Sequence, residues 1–351
     1  MIPSINDQTP KRLRTSSLGI LALLAPLSVF ARDASAPGHM NIFSPLSTPA
    51  NQISHLAILV FIITGAIFLF VAILLAYVVF RYRSRGAETT EPPQVYGSNQ
   101  IELAWTVIPV LIVIVLFLAT ARVIFAVEDS VRPQQALDVT VIGHQFWWEF
   151  RYPKLGIVTA NELHVPVSSR SHPSPTYLKL MSADVDHSFW VPQLAGKTDL
   201  IPNRVNEMWI DPLQTGLYLG QCAQFCGMEH AKMLLRVYVD TPEQFADWTR
   251  NQRQAGRQDS HDALGRHIFE TESCMNCHTI QGTAATGRFG PDLTHLMSRS
   301  TIASGIASNN RANLFDWIKD PDHLKKGSLM PAMQLSDDQI DAVVAYLSTL
   351  Q

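Results

Sequence analysis

The sequence predicts a membrane protein of several domains, in which a two-helix transmembrane hairpin is followed by an all-β domain and then by an all-α domain. Three patterns indicate this class: two long apolar runs toward the N-terminus, short alternating runs separated by Pro and Gly in the middle, and helical periodicity at the C-terminal end. A chain of 351 residues with 47% hydrophobic content can hold about two globular domains beside its membrane segments. The formal net charge of −3 is small, and no nucleic-acid partner is expected.

Residues 1–36 are interpreted as a signal peptide. Basic residues at positions 11–14 precede an apolar core at 18–30, and small residues at 34–36, or Ala31 before them, offer a cleavage site. An uncleaved anchor is the alternative, which the shortness of the apolar core disfavours. The chain that follows is therefore expected to be exported.

Two transmembrane helices are expected within residues 37–130, at about 56–80 and 103–127, since a helix needs roughly 20 apolar residues to cross a bilayer. Arginines follow the first run at positions 81–85, and the positive-inside tendency places them in the cytoplasm. The second helix returns the chain to the outside. Everything from about Glu128 onward is therefore expected to be extracytoplasmic.

Residues 131–240 are expected to form the all-β domain. Short runs such as 177–181 and 234–239 are separated by turn residues, a spacing typical of an antiparallel β-sandwich or barrel. Residues 241–260 are interpreted as a helix, which Thr241 and Pro242 begin as they begin many helices, followed by a polar linker at 250–260. Residues 261–351 show helical periodicity and are expected to form the all-α domain, with a final helix that begins at Ser336 and carries Ile340, Val343, Val344 and Leu347 on one face.

The loop between the last two predicted strands carries a dense set of soft ligands: Cys222, Cys226, His230 and Met233. Thiolate and thioether groups select copper, and imidazole suits it. A single copper ion needs one cysteine, whereas two cysteines provide bridging sulfurs for two copper ions. A disulfide hairpin or a zinc loop is the alternative, although tetrahedral zinc sites seldom recruit methionine. His187 lies among acidic and aromatic residues and is a candidate for a second histidine ligand; a structural role for it stays equally open.

A second cofactor motif lies downstream. Cys274, Cys277 and His278 form the C-x-x-C-H pattern that attaches a c-type haem, with a redox dithiol or half of a zinc site as the alternative. The turn at 290–293 is expected to place a backbone carbonyl against the histidine and to determine its tautomer.

The sixth ligand of such a haem is expected from the Leu-Met-Pro-Ala-Met run, which offers Met330 and Met333. Met330 is favoured because the Met-Pro step forms a rigid turn. His/Met ligation raises the potential of a haem and suits electron transfer. Both cofactors together account for all four cysteines of the chain, so no disulfide is expected.

These motifs match a known family. Residues 40–240 resemble subunit II of haem-copper cytochrome c oxidases, and residues 261–351 resemble a class I cytochrome c. Together they resemble the fused subunit II of bacterial oxidases that carry their own cytochrome c. The resemblance implies a cupredoxin-like β domain with a dinuclear copper centre, called CuA, and a cytochrome c domain with one covalently bound haem c.

The resemblance also implies the ligands of the two copper ions. Carried over residue by residue, these ligands are the bridging Cys222 and Cys226, the terminal His187 and His230, the axial Met233 and the axial backbone carbonyl of Gln224.

The sequence departs from the family at two positions. The family usually has Glu at the position of Gln224, where the carboxylate reaches a magnesium ion at the interface with subunit I, so magnesium is not inferred here. Oxidases that are fed by a separate cytochrome tend to have Trp at the position of Phe146, and that Trp is where electrons enter. Trp147 and Trp148 are predicted mainly to pack near the copper, with electron entry as the alternative.

The resemblance implies an electron conduit in a bacterial inner membrane, with both metal domains on the periplasmic side. A cytochrome or a quinol-oxidising complex would supply electrons, which pass through haem c and CuA to subunit I for oxygen reduction coupled to proton translocation; subunit III is a further expected partner. Glu102 would lie at the mouth of a proton channel, or be a plain interfacial carboxylate. The CuA subunit of a related nitric oxide reductase and a non-catalytic redox-sensing membrane module stay open as alternative functions.

Overall fold

The computed structural model describes residues 40–83, 94, 96–128, 136–169, 171–256 and 263–351. The predicted signal peptide at 1–36 and the predicted linker from residue 257 to 260 lie outside the described residues. The part of that linker at 250–252 belongs to a helix that continues to Gln252.

Two long helices precede the β domain: α1 (Thr48–Arg81) and α2 (Asn99–Glu128). Both are long and apolar enough to cross a membrane. The 34 residues of α1 extend for about 51 Å at 1.5 Å per residue, which exceeds the roughly 30 Å of a bilayer's hydrocarbon core. The extra turns of α1 at its N-terminal end reach the β domain.

Both helices are tied to the β domain at the same end of the hairpin. The hydroxyl of Thr48 donates to Asp211 Oδ2 at 2.5 Å, at the start of α1. The indole of Trp209 donates to the carbonyl of Val127 at 2.6 Å, at the end of α2. These contacts fix the β domain at one end of the hairpin, and the first turn of α2 lies at the other end.

The β domain consists of two five-stranded sheets that enclose an apolar core. Its strands are β1 (Leu137–His144), β2 (Trp147–Tyr152), β3 (Ile157–Ala160), β4 (Glu162–Pro166), β5 (Thr176–Ser182), β6 (His187–Trp190), β7 (Thr198–Leu200), β8 (Asn206–Ile210), β9 (Gly216–Cys222) and β10 (Leu234–Asp240). One sheet has the order β3-β2-β1-β5-β8 and the other the order β4-β10-β9-β6-β7. Burial alternates along strands such as β5 and β10, because successive side chains of a strand point to opposite faces of its sheet.

The prediction that this domain is antiparallel is wrong for two strand pairs. β1 pairs with β5 in parallel, and β10 pairs with β4 in parallel. Parallel strands need a long crossover connection, and here the chain crosses between the sheets before it returns. A half-buried strand has the same alternation whichever way its neighbour runs, so the pattern could not reveal the direction.

The C-terminal domain is helical apart from one short strand pair. Its elements follow α3 (Pro242–Gln252) and are α4 (Ala263–Thr271), α5 (Cys274–Cys277), β11 (Thr301–Ile302), β12 (Ala307–Ser308), α6 (Arg311–Lys319), α7 (Pro321–Leu324) and α8 (Asp337–Leu347). Reciprocal side-chain caps begin α3 at Thr241 and α8 at Ser336, and each satisfies backbone donors that a helix start leaves unpaired. The predicted apolar face of α8 is buried, at Ile340, Val343, Val344 and Leu347.

The C-terminal domain is docked on the β domain through polar contacts with a buried carboxylate. Glu162 in β4 accepts hydrogen bonds from the backbone N–H of Ser300 at 3.0 Å and of Thr301 at 2.9 Å. It also accepts one from the Thr301 hydroxyl at 2.8 Å, and Arg236 in β10 donates to the same hydroxyl at 3.1 Å. Because Glu162 is buried, little water reaches it to compete for these hydrogen bonds.

We expect Glu162→Ala to lower the free energy of unfolding by about 1 to 3 kcal/mol, because buried N–H groups lose their acceptor. Hydrogen exchange should rise at residues 300–305, the segment that contacts the β domain. Glu207→Ala, which removes an exposed carboxylate from β8, is the matched control. Equal exchange at 300–305 in both variants would show that Glu162 does not hold the domains together.

Candidate copper and haem sites

Strand pairing brings the soft-ligand loop together with a histidine distant in sequence. Cys222 ends β9, and the loop continues to Met233, just before β10. β6 pairs antiparallel with β9, with Phe189 opposite Cys222. His187 begins β6 and is therefore carried to the side of the cysteine loop.

The five ligand side chains meet in one cluster. The Cys222 and Cys226 sulfurs lie 3.9 Å apart, and the Nδ1 atom of His187 lies 3.9 Å from the Cys222 sulfur. The Cys226 sulfur lies 3.8 Å from His230 Nδ1 and 3.9 Å from Met233 Sδ. A sulfur binds a first-row metal at about 2.3 Å, so two donors that share an ion can lie up to about 4.6 Å apart. All four separations fit shared ions.

The sixth predicted ligand, the carbonyl oxygen of Gln224, lies 3.2 Å from the Cys222 sulfur. The sulfurs of the cluster belong to buried residues: Cys222 is 3% exposed, Cys226 4% and Met233 0%. A dry site with two thiols, two imidazoles and a thioether has the donor chemistry of a copper centre.

Asp184 orients the His187 ring. Its Oδ1 lies 2.7 Å from His187 Nε2, so Nε2–H donates to the carboxylate and Nδ1 is the ring atom that faces the Cys222 sulfur. Burial lowers the pKa of His187, but the hydrogen bond with Asp184 and the nearby Cys222 sulfur outweigh burial and leave the pKa raised. The absence of a side chain at Gly143 leaves room for the ring, because a Cβ at Gly143 would lie 2.7 Å from His187 Cδ2.

The contact between the two thiols separates their pKa values. Hydrogen bonding from Cys226 lowers the pKa of the Cys222 thiol. The same contact raises the pKa of Cys226 well above its ordinary value. The Cys222 thiol therefore loses its proton more readily than the Cys226 thiol, and a bound cation favours loss of the proton from Cys226 as well.

Three neighbours support this cluster through hydrogen bonds, and for two of them, Gln145 and Asp184, the sequence indicated no individual role. The Gln145 amide donates to the Cys226 carbonyl at 2.6 Å, the Trp148 indole donates to the Met233 carbonyl at 3.4 Å, and Asp184 bonds His187. The only signal in the sequence was that acidic and aromatic residues surround the candidate ligands.

The haem motif opens onto a large apolar cavity in the C-terminal domain. The cavity has a volume of about 490 Å³, within the roughly 300–1,000 Å³ of typical cofactor sites. Its wall includes the predicted attachment and axial residues Cys274, Cys277, His278, Met330 and Met333. Both cysteines are free thiols, as attachment to a haem requires.

The predicted turn does orient His278. Nδ1 of His278 lies 2.8 Å from the carbonyl of Pro291, so Nδ1–H donates and Nε2 is left as the ligand atom. Burial lowers the pKa of His278, which favours the neutral, metal-binding ring. Gly290 lies against this ring, since a Cβ there would be 2.5 Å from His278 Cε1.

A buried cation on the cavity wall also fits a haem. Arg299 is buried, and its Nη2 donates to the carbonyl of Asp292 at 2.5 Å. Its Nε has no hydrogen-bond partner within the part of the chain that the structure describes. An apolar cavity with one unpaired donor on its wall suits a porphyrin that carries carboxylates. The sequence showed no pattern that marks Arg299.

The two tryptophans of the aromatic run differ in their surroundings. Trp148 is fully buried and packs edge-on against Phe189 at 5.8 Å and near His187 at 6.2 Å between ring centres, as predicted. Trp147 stacks on His144 at 4.2 Å and lies on the wall of the haem cavity together with Phe146. The aromatic run therefore faces both candidate sites.

Family models match three consecutive parts of the chain. Residues 35–123 match the transmembrane domain of cytochrome c oxidase subunit II, residues 137–239 match its periplasmic domain, and residues 263–351 match cytochrome c.

Curated relatives align with most of the chain. Cytochrome c oxidase subunit 2 of Alkalihalophilus pseudofirmus is 31% identical and covers 93% of this chain and 96% of its own length. The same subunit of Bacillus subtilis is 30% identical and covers 95% of this chain and 97% of its own length. The solved periplasmic domain of subunit II of cytochrome oxidase from Bradyrhizobium japonicum is 29% identical, with a TM-score of 0.32, and covers 34% of this chain and 96% of that chain.

The three matches follow one another in the same order as the membrane hairpin, the β domain and the helical domain. The relatives align with nearly the whole chain, so the C-terminal domain is part of the similarity. The β domain is cupredoxin-like, and the helical domain is of the cytochrome c type. The chain belongs to the cytochrome c oxidase subunit II family and carries a cytochrome c domain at its C-terminal end.

Proposed function

We propose that this chain is the electron-entry subunit of a respiratory haem-copper oxidase, with two redox sites in series. Electrons from an external cytochrome or quinol-oxidising complex would pass through a covalent haem c and a dinuclear CuA centre to a haem of subunit I. Oxygen reduction to water, coupled to proton translocation, takes place in that partner. The observation that carries the proposal is the cluster of two thiols, two imidazoles and one thioether, in which each donor lies 3.8–3.9 Å from at least one of the two cysteine sulfurs.

In this proposal six residues of the chain would bind two copper ions. Cys222 and Cys226 would hold both ions through their thiolates, and His187 and His230 would hold them through imidazole nitrogens. Met233 and the carbonyl of Gln224 would complete the ligand set. Bound copper would supply one-electron redox chemistry, and the burial of His187, Cys222, Cys226 and Met233 keeps most of the site away from water.

The haem c site is proposed to be held by covalent bonds from Cys274 and Cys277 and by iron ligation from His278 and Met330. The hydrogen bond from His278 Nδ1 to Pro291 supports the first axial ligand. Met330 packs against the apolar core of the domain, which supports it as the second ligand. Bound haem supplies one-electron chemistry at a potential that the methionine raises.

Family membership makes the chain a subunit of an oxidase complex with subunit I as a partner and with periplasmic domains. The proposal adds the bacterial inner membrane as the location and subunit III as a further partner. It also assigns Glu102 to the mouth of a proton channel into subunit I. Glu102 lies in the first turn of α2, and the opposite end of α2 contacts the β domain through Val127, which supports a cytoplasmic position for Glu102.

The copper assignment is tested by metal, haem and optical analysis of the purified full-length complex. We expect two copper ions and one covalent haem per chain, with a near-infrared band from the delocalised copper pair. Cys226→Ser should abolish that band and lower the copper content, because one bridging sulfur is lost, while the haem content stays the same. Met228→Leu is the control, since Met228 lies in the same loop but is 75% exposed. Zinc or a single copper ion in the wild-type chain would overturn the proposed function.

The axial haem ligand is tested by a matched pair of methionine variants. Met330→Leu should lower the reduction potential of the haem, because the thioether that raises the potential is lost. It should also change the optical absorption spectrum of the haem. Met333→Leu should leave both nearly unchanged. Redox titration with optical detection measures the two variants, and the reverse pattern would identify Met333 as the ligand.

We expect Glu102→Ala to slow oxygen consumption several-fold without a change in the copper and haem spectra, because proton delivery to subunit I loses its entry carboxylate. Glu128→Ala, at the other end of the same helix, is the control. Oxygen-electrode assays with matched enzyme content provide the measurement. Unchanged turnover of Glu102→Ala would leave the carboxylate with an interfacial role only.

A further inference from the structure

Lys325 is a buried lysine at the boundary of the two soluble domains. It follows α7 in the cytochrome c domain and is 3% exposed. Its ammonium group donates to the carbonyl of Phe146 in the cupredoxin-like domain at 2.7 Å and lies 3.5 Å from the carbonyl of Ala303. Lysines are almost never fully buried unless their charge is paired; the opposite charge that acts on this one is the buried carboxylate of Glu229, while both hydrogen-bond partners are neutral carbonyls. Its burial therefore calls for a reason beyond packing.

The carbonyl that Lys325 holds belongs to the turn between β1 and β2, and this turn also supports the copper ligands. The side-chain amide of Gln145 donates to the carbonyl of Cys226 at 2.6 Å. The backbone N–H of Gln145 donates to Asp184 Oδ2 at 2.6 Å, and Asp184 bonds His187 through its other oxygen. The turn is thus connected to one bridging cysteine and to the residue that orients one histidine.

The same turn forms part of the wall of the haem cavity. Gln145, Phe146 and Lys325 line this cavity together with Cys277 and Met330. A single two-residue segment therefore has the proposed haem on one side and the proposed copper ligands on the other. Lys325 contacts it from the haem side, and Cys226 contacts it from the copper side.

Docking of the domains does not by itself explain the buried ammonium. Glu162 already joins the domains through Ser300 and Thr301, and Ser304 adds a hydrogen bond to the carbonyl of Leu234 at 2.9 Å. Desolvation of a cation is unfavourable, and a neutral apolar side chain would fill the same space without this penalty. The position of the ammonium on the Phe146 carbonyl is the specific feature that needs a function.

We propose that Lys325 is a positioning residue for electron transfer between the two redox sites. It holds the Gln145–Phe146 turn against the haem cavity, so that a continuous chain of bonds and hydrogen bonds runs from Lys325 through Phe146 and Gln145 to Cys226. The step that it serves moves one electron from ferrous iron in the cavity to the oxidised copper pair, and no proton or covalent bond changes. This inference rests on the proposed function.

The test uses the purified full-length complex and compares Lys325→Met with Lys326→Met, which changes the adjacent exposed lysine. Flash-induced oxidation of the haem by the copper pair gives the rate, and redox titration gives both potentials. Hydrogen exchange at residues 144–148 reports the order of the turn. We expect Lys325→Met to slow the transfer by about tenfold to a hundredfold, since a displacement of about 1 Å can have an effect of this size, and to raise the exchange of the turn. Lys326→Met should match the wild type.

Two further variants separate positioning from other effects. Lys325→Arg, which keeps N–H donors, should restore most of the rate. Gln145→Leu should also slow the transfer, and the double variant with Lys325→Met should lose less than the product of the two effects, because both act on one connection. These variants keep the proposal testable should Lys325→Met fail to fold.

The proposal is overturned when Lys325→Met transfers electrons at the wild-type rate. It is equally overturned when the change in potentials, at about 59 mV per tenfold in equilibrium constant, accounts for the whole change in rate. Independent effects of Lys325→Met and Gln145→Leu would also overturn it. Absence of haem-to-copper transfer in the wild type would instead contradict the proposed function, so the two failures are distinguishable.

Discussion

The whole arrangement depends on two cysteine sulfurs that the fold holds 3.9 Å apart in a buried site. Two thiolates at this distance repel one another. A pair of cations relieves that repulsion, so the fold prepares a site for positive charge. The pairing of β6, β9 and β10 makes the site rigid, because these strands deliver the histidine and both ends of the cysteine loop.

Both candidate sites share one turn of the cupredoxin-like domain. Gln145 and Phe146 belong to the cupredoxin-like domain, yet they line the haem cavity of the other domain. The interface with Glu162 and the contact of Lys325 keep this wall in place. In a docked cytochrome c domain, the fold sets the distance between the two candidate redox sites. In a domain that moves on a free tether, this distance varies. Under the proposed function, electron transfer between the domains would not need a diffusive search.

The membrane helices complete this geometry. Contacts of Thr48 and Trp209 tie both helices to the cupredoxin-like domain at the same end of the hairpin. The copper site therefore has a defined height above the membrane end of the domain. A subunit that delivers electrons to a partner in the bilayer requires such a fixed relation, since electron transfer rates fall steeply with distance.

The sequence by itself determined the features that depend on short spacing: the haem motif, the cysteine loop, the two apolar spans and the helix caps at Thr241 and Ser336. Each is a local pattern whose physical meaning does not depend on distant residues. Only the tertiary structure decided the parallel pairing of β1 with β5, the meeting of His187 with Cys222, and the burial of Arg299 and Lys325 at the haem cavity. These depend on which strands pair and which domain surfaces meet, and a hydrophobic alternation or an isolated basic residue carries no information about such partners.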